Sequence, residues 1–200
     1  MNQTSSMPIQ KLKPILEALF AAADRPLSVS QIFDLFNGDI DQPGRDDIRQ
    51  AIHEIGEQYS DSGLELKQVA SGFRLQVKPQ YESWISRLWD QKPPRYSRAL
   101  METLALIAYR QPITRGEIED IRGVSVSTSI IKTLQEREWV KPLGHRDVPG
   151  RPTLYGTTRS FLDYFNIRSL NELPTLAEIR DLDQFTPELA FVEKSEVSAS

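Results

Sequence analysis

Apolar residues recur at helical spacing through the first third of the chain. Ile9, Leu12, Leu16, Leu19, Phe20 and Ala23 mark one face of a first helix that starts near Pro8, where proline suits an opening turn. Asp24-Arg25-Pro26 breaks that helix, and Ser28 is placed to cap a second, with Val29, Ile32, Phe33 and Phe36 on its buried side. After a polar loop, residues 37–45, a third helix carries Ile48, Ile52, Ile55 and Tyr59 inward. The pattern then switches to alternation: Phe73, Leu75 and Val77 predict a hairpin with strands 64–70 and 73–77 and a short turn at Ala70-Ser71-Gly72. Tyr81, Trp84, Ile85 and Leu88 share one side of a closing helix, 81–89.

The same order returns in the second half. Leu100, Leu104 and Ile107, then Ile118 and Ile121, then Val126, Ile130 and Leu134 predict three helices, followed by a hairpin closed by Pro149-Gly150. Leu19-Phe20-Ala21-Ala22 with Pro26, Ser28 and Ile32 lies 86 positions before Ala105-Leu106-Ile107-Ala108 with Pro112, Thr114 and Ile118. Three helices and a two-stranded ribbon, twice over, predict a mainly α protein with small β-wings (α+β), built as two tandem winged-helix domains. The expected division is a flexible N-terminus at 1–7, an N-terminal domain at 8–90, a Pro-containing linker at 91–96, a C-terminal domain at 97–179 and an acidic disordered tail at 180–200. Ser160 to Phe165 should add a short helix with Phe161, Leu162 and Phe165 packed.

Charge and composition narrow the function. The chain has 24 basic and 28 acidic residues, a net of −4, which argues against a protein whose work is coating nucleic acid. With no cysteine there is no disulfide, zinc ribbon or thiolate chemistry, and a cytosolic setting fits. Apolar runs stop far short of the roughly 20 residues that span a bilayer, and no secretory signal opens the sequence. No glycine-rich phosphate loop and no G-x-S-x-G elbow occur, and the two histidines, His53 and His145, fall in different domains without companion ligands. No enzyme, metal or cofactor is expected.

Winged helices read DNA through the third helix and the wing. Here the third helix of the first domain carries Asp46, Asp47, Glu54 and Glu57 against Arg45 and Arg49, a face that a polyanion would repel. In the second domain Lys132 and Arg137 are offset by Glu136 and Glu138, and Ser125, Ser127, Thr128 and Ser129 are better read as caps than as base contacts. The wing holds the one basic cluster, Lys141, His145, Arg146 and Arg151 against Asp147, which suits a phosphate, an acidic partner or a solvated tip. The helix from Ser97 to Arg110 is apolar nearly all round, so either neighbouring segments cover its extra face or a partner does. Candidate partner-binding residues are therefore Leu100, Met101, Leu106 and Tyr109 on that helix, with Arg146, Arg151 and Tyr155 on the wing.

The stretches METLALIAYRQPITRGEIEDIRGVSV, KTLQERE and GHRDVPGRPTLYGTTRSFLDYFNIRSLNELP, with ILEALFAAADRPLS in the first half, resemble bacterial segregation and condensation protein B. The resemblance is specific over 97–179 and collinear over 9–89. It implies a non-catalytic adaptor that forms a homodimer largely through its N-terminal domains. It further implies binding to the kleisin, segregation and condensation protein A, and through it to the SMC ATPase of a condensin-like complex, in the cytoplasm at the nucleoid, with DNA contacted indirectly or weakly. The alternative is a tandem winged-helix transcriptional regulator reading DNA through 127–132, Arg146 and Arg151. Two departures from the family pattern stand out. The third helix of the second domain ends in Glu136-Arg137-Glu138-Trp139, where relatives place a glycine suited to a left-handed cap, and the entry Ser125 to Ser129 is one residue longer than usual.

Overall fold

A computed structural model describes residues 7–88 and 96–175. Most of the expected linker and of the flexible N-terminus, and the acidic tail, lie outside the described residues. The chain divides into two compact units: residues 7–88 group with Thr158–Arg168, and residues 96–157 with 169–175.

In the N-terminal unit the helices are α1 (Ile9–Ala22), α2 (Val29–Leu35) and α3 (Arg45–Gln58), and the wing is β1 (Leu64–Val69) with β2 (Gly72–Val77). Leu12, Leu16, Phe20, Ile32, Phe36, Ile48, Ile52 and Ile55 fill the core at the periodic positions that predict the three helices, and Ala51 joins them. Met7, expected in the frayed end, is instead buried in that core. Ser28 caps α2 with a reciprocal box: its Oγ accepts from Gln31 N, and Gln31 Oε1 accepts from Ser28 N. Immediately before the cap, Leu27 pairs with Phe73 by two backbone bonds of 2.9 Å. The wing is thereby stitched to the entrance of α2. The expected closing helix is broken into 3₁₀ turns at Pro79–Tyr81 and Ser86–Leu88 around a single α-turn, α4 (Glu82–Ile85), and Trp84 and Leu88 are exposed.

The helix α8 (Arg159–Tyr164), although it continues from the second wing, groups with this unit. Ser71 N donates to Asp163 Oδ1 at 2.9 Å, and Arg74 Nη2 donates to Asp163 O at 3.1 Å and Asn166 Oδ1 at 2.6 Å. Phe161 is buried and its ring lies 4.9 Å from that of Phe165.

The C-terminal unit repeats the plan with α5 (Arg98–Arg110), β3 (Ile113–Thr114), α6 (Arg115–Arg122), α7 (Thr128–Glu136), β4 (Val140–His145) and β5 (Thr153–Thr157). Its sheet runs β3-β5-β4, all antiparallel, with Ile113 opposite Tyr155. Leu100, Leu104, Ile107, Ile118, Val126, Ile131, Leu134, Trp139 and Val140 are buried. Ile131, not the expected Ile130, faces inward, because α7 begins only after its Ser127 cap and the inward positions count from there. Both units are winged helices, and the fold is mainly α with small antiparallel sheets.

The end of α7 shows what replaces the missing glycine. Glu138 itself takes the left-handed conformation, φ 57°, and Trp139 N reaches back to Leu134 O at 3.0 Å, the six-to-one bond of a Schellman turn. A side chain there costs on the order of 1 kcal/mol. Arg137 closes over the Tyr96 and Trp139 rings at 4.7 and 5.5 Å and holds the turn down.

Two substitutions test these local arguments by urea denaturation. Glu138→Gly should raise stability by about 1 kcal/mol by relieving the left-handed strain. Gly72→Ala should lower it by about 3 kcal/mol or more, since Gly72 has φ 147° and an added Cβ would sit 2.3 Å from the Leu27 carbonyl.

Candidate docking surface of the C-terminal unit

Thr114 caps α6 as Ser28 caps α2: its Oγ1 accepts from Glu117 N at 3.2 Å, while the Glu117 carboxylate accepts from Thr114 N at 2.8 Å. The same carboxylate receives Arg146 from the wing, whose Nη2 lies 2.9 Å from both oxygens. Cap, helix and wing thus meet at one acid. Hydrogen bonds from the Thr114 backbone and hydroxyl, with the Arg146 charge, hold Glu117 below the ordinary glutamate pKa. Two other glutamates brace the helices in the same way. Glu119 Oε1 accepts from Val126 N at 2.8 Å and Arg115 Nε at 3.0 Å, fixing the α6–α7 turn, and Glu102 ties Arg98 of α5 to Arg122 of α6. Both are also lowered, Glu119 chiefly by the Val126 amide and Glu102 chiefly by Arg98.

Between α5, α6 and the wing lies an open cleft of about 350 Å³ lined by Arg110, Pro112, Ile113, Glu117, Asp120, Ile121 and Arg146. Ile113 is its buried floor, and Arg110 and Asp120 are exposed. Ile121 and, just past the left-handed Gly123, Val124 remain 55% and 56% exposed. Leu143 and Val148 on the wing are exposed as well. The outer side of α7 is electrically quiet. Lys132 pairs with Glu136 at 3.6 Å, Ser127 Oγ takes Ile130 N, Ser127 and Ser129 hydroxyls bond each other at 2.7 Å, and Thr128 receives Arg115 at 3.3 Å.

The residues singled out from sequence scatter over this unit. Leu100 is only 7% exposed and belongs to the core, where it offers a partner little surface. Met101 and Leu106 are half-buried, and Tyr109 donates its hydroxyl to Pro174 O at 2.5 Å, so the chain around the 3₁₀ turn Leu170–Glu172 runs beside it. Tyr155 is half-buried in β5 opposite Ile113. Arg146 reaches the cleft, and Arg151 is exposed with φ 38°. Ile121, Val124, Leu143 and Val148 were not among the candidates. For Ile121 and Val124 the available signal was the shortness of α6, eight residues between its Thr114 cap and Gly123, which leaves room for one inward turn around Ile118. Among the described residues no group of three or more His, Asp or Glu side chains could hold a metal ion, and no helix is long and apolar enough to cross a membrane.

The model of a family described as segregation and condensation complex subunit ScpB matches residues 14–176. The chain belongs to that family. A segregation and condensation protein B homolog from Coxiella burnetii is 50% identical over 185 residues, covering 90% of this chain and 88% of that protein. Segregation and condensation protein B of Syntrophotalea carbinolica is 40% identical over 183 residues, covering 90% of each. Among solved structures, ScpB from Mycobacterium tuberculosis is 25% identical with a TM-score of 0.39, covering 81% of this chain and 99% of that one. A dimer of an ScpB N-terminal domain complexed with an ScpA peptide is 25% identical with a TM-score of 0.36, covering 40% of this chain and 98% of that one. The family assignment rests on the sequence matches, and the ScpB pattern spans both winged helices described above.

The three braced glutamates set a pH dependence. Their folded-state pKa values lie below the ordinary 4.5, so their stabilisation is complete above pH 4.5 and is lost as pH falls through the lower folded values. Thermal melts should be flat in this respect above that point and decline below it. Glu117→Gln, which can keep the cap as Gln31 does, should flatten the decline, whereas Thr114→Ala should cost about 1 kcal/mol at neutral pH.

Proposed function

We propose that this ScpB-family protein is a non-catalytic adaptor that forms a homodimer, binds the kleisin of a bacterial SMC complex and so supports chromosome condensation and segregation from the cytoplasm at the nucleoid. SMC and DNA are reached through the kleisin. Membership of the segregation and condensation family supports the general role. The docking mode rests on one observation: exposed Ile121 and Val124, at the end of α6 and just past it, lie beside a cleft whose Arg146 is neutralised by Glu117. An apolar patch edged by paired charges buries a partner helix favourably, while a polyanion gains little from it.

The kleisin therefore docks here through apolar side chains set into the Pro112, Ile113 and Ile121 cleft, with Arg110 available to an acidic residue at the rim. Among the described residues Arg110 makes no ion pair. Isothermal calorimetry with the full-length kleisin should give a dissociation constant in the micromolar range or tighter. Ile121→Ala with Val124→Ala, both exposed and so tolerated by the fold, should weaken it roughly tenfold. Absence of any heat of association at tens of micromolar would sink the adaptor reading. A steep salt dependence of binding to duplex DNA, lost in Arg146→Ala with Arg151→Ala, would favour the regulator instead.

A further inference from the structure

The two wings treat their outer edges differently. In the C-terminal unit the outer strand β4 carries Pro142, which lacks an N–H, and its register with β5 slips between Pro142 and Gly144. Both features blunt a sheet edge. In the N-terminal unit β2 lies between Leu27 and β1, so β1 is the outer strand, and it is regular over all six residues with no proline and no bulge.

The alternation of that hairpin shows which groups face out. Lys78 N donates to Gly63 O at 3.0 Å, so the bonded cross-strand pairs continue as Glu65 with Gln76, Lys67 with Arg74 and Val69 with Gly72. Leu64, Leu66 and Gln68 then direct their backbone groups to the open edge. Leu64 N is taken by Ser62 Oγ, but among the described residues the backbone groups of Leu66 and Gln68 meet no partner there.

Charge along the strand is self-complementary. Glu65 and Lys67 share one face and flank Leu66 symmetrically, and neither forms an ion pair among the described residues. Lys67 moreover sits directly opposite Arg74, a like-charge pair that destabilises a hairpin. Among the described residues Arg74 finds only neutral acceptors: Gln76 Oε1, Asp163 O and Asn166 Oδ1. Among the described residues of its own chain Lys67 has no carboxylate partner.

We propose that β1 is the homodimer interface, pairing antiparallel with β1 of a second copy about a twofold axis through Leu66. This rests on the dimer in the reading above and names its surface. Leu66 of each copy exchanges backbone bonds with Leu66 of the other, and Gln68 N donates to Leu64 O of the second copy. That register brings Glu65 opposite Lys67 of the second copy twice over, at the non-hydrogen-bonded sites where side chains lie closest. The two wings join into one continuous sheet, and an interface of this kind is isologous and closes on itself.

Sedimentation of the full chain tests the pairing. Lys67→Glu and Glu65→Lys each turn both attractive pairs repulsive and should raise the dimer dissociation constant roughly tenfold. Mixing the two variants should restore a heterodimer of near wild-type affinity. Lys67→Glu sets a carboxylate against Arg74, so its melting temperature, compared with wild type at dilutions where both are monomeric, should not fall, which separates a weakened dimer from a damaged fold. Because the chain has no cysteine, oxidation of the Glu65→Cys, Lys67→Cys double variant should yield a covalent dimer through this strand alone. A wild-type dimer indifferent to both charge variants and giving no cross-link overturns the β1 interface and leaves the dimer standing. A wild-type monomer at high concentration overturns both.

Discussion

Each half of this molecule hangs on the place where the residue before the second helix pairs with the inner strand of the wing. Leu27 meets Phe73 in one unit, and Ile113 meets Tyr155 in the other. The next residue in each, Ser28 or Thr114, caps the helix and receives a box partner three residues on. Helix entrance, cap and wing are therefore positioned by a few hydrogen bonds, and a two-stranded ribbon too small to be stable alone becomes part of the core. Gly72 is demanded by that closeness, because a side chain there would occupy the space of the Leu27 backbone.

The repeat of this device explains why so much of the fold was readable. Proline, small polar cap and inward isoleucine recur 86 positions apart, and each signals a backbone geometry that does not depend on distant neighbours. What escaped was decided by tertiary context. Ile130 and Ile131 are indistinguishable by hydrophobicity, and only the true start of α7 selects which one turns inward. Glu138 in a left-handed turn runs against its own preference, and Arg137 stacked over two rings holds it there. Helix α8 follows the second wing in sequence yet groups with the first unit, through contacts of Ser71 and Arg74 that local patterning does not encode.

Surplus apolar area was legible in the sequence, but which side chains stay exposed was not. An apolar excess on α5 signalled surplus hydrophobic area, yet Leu100 belongs to the core and Tyr109 is hydrogen-bonded to the chain at Pro174. The exposed apolar side chains sit instead on Ile121 and Val124, where a short helix runs out of core to face. Charge was equally deceptive, since Arg146 counts as basic in composition while Glu117 neutralises it in space.

Pro142 and the slip beside it carry a further consequence, one of valence. The chain carries two similar ribbons, and if both kept a regular outer strand, each molecule could recruit a neighbour through either one. Association would then propagate, first ribbon to first and second to second, into filaments of indefinite length. On the β1 pairing proposed above, the blunted strand leaves the chain monofunctional, and growth would end after a single addition. A proline and a one-residue irregularity act on the second ribbon as a chain stopper does in a polymerisation.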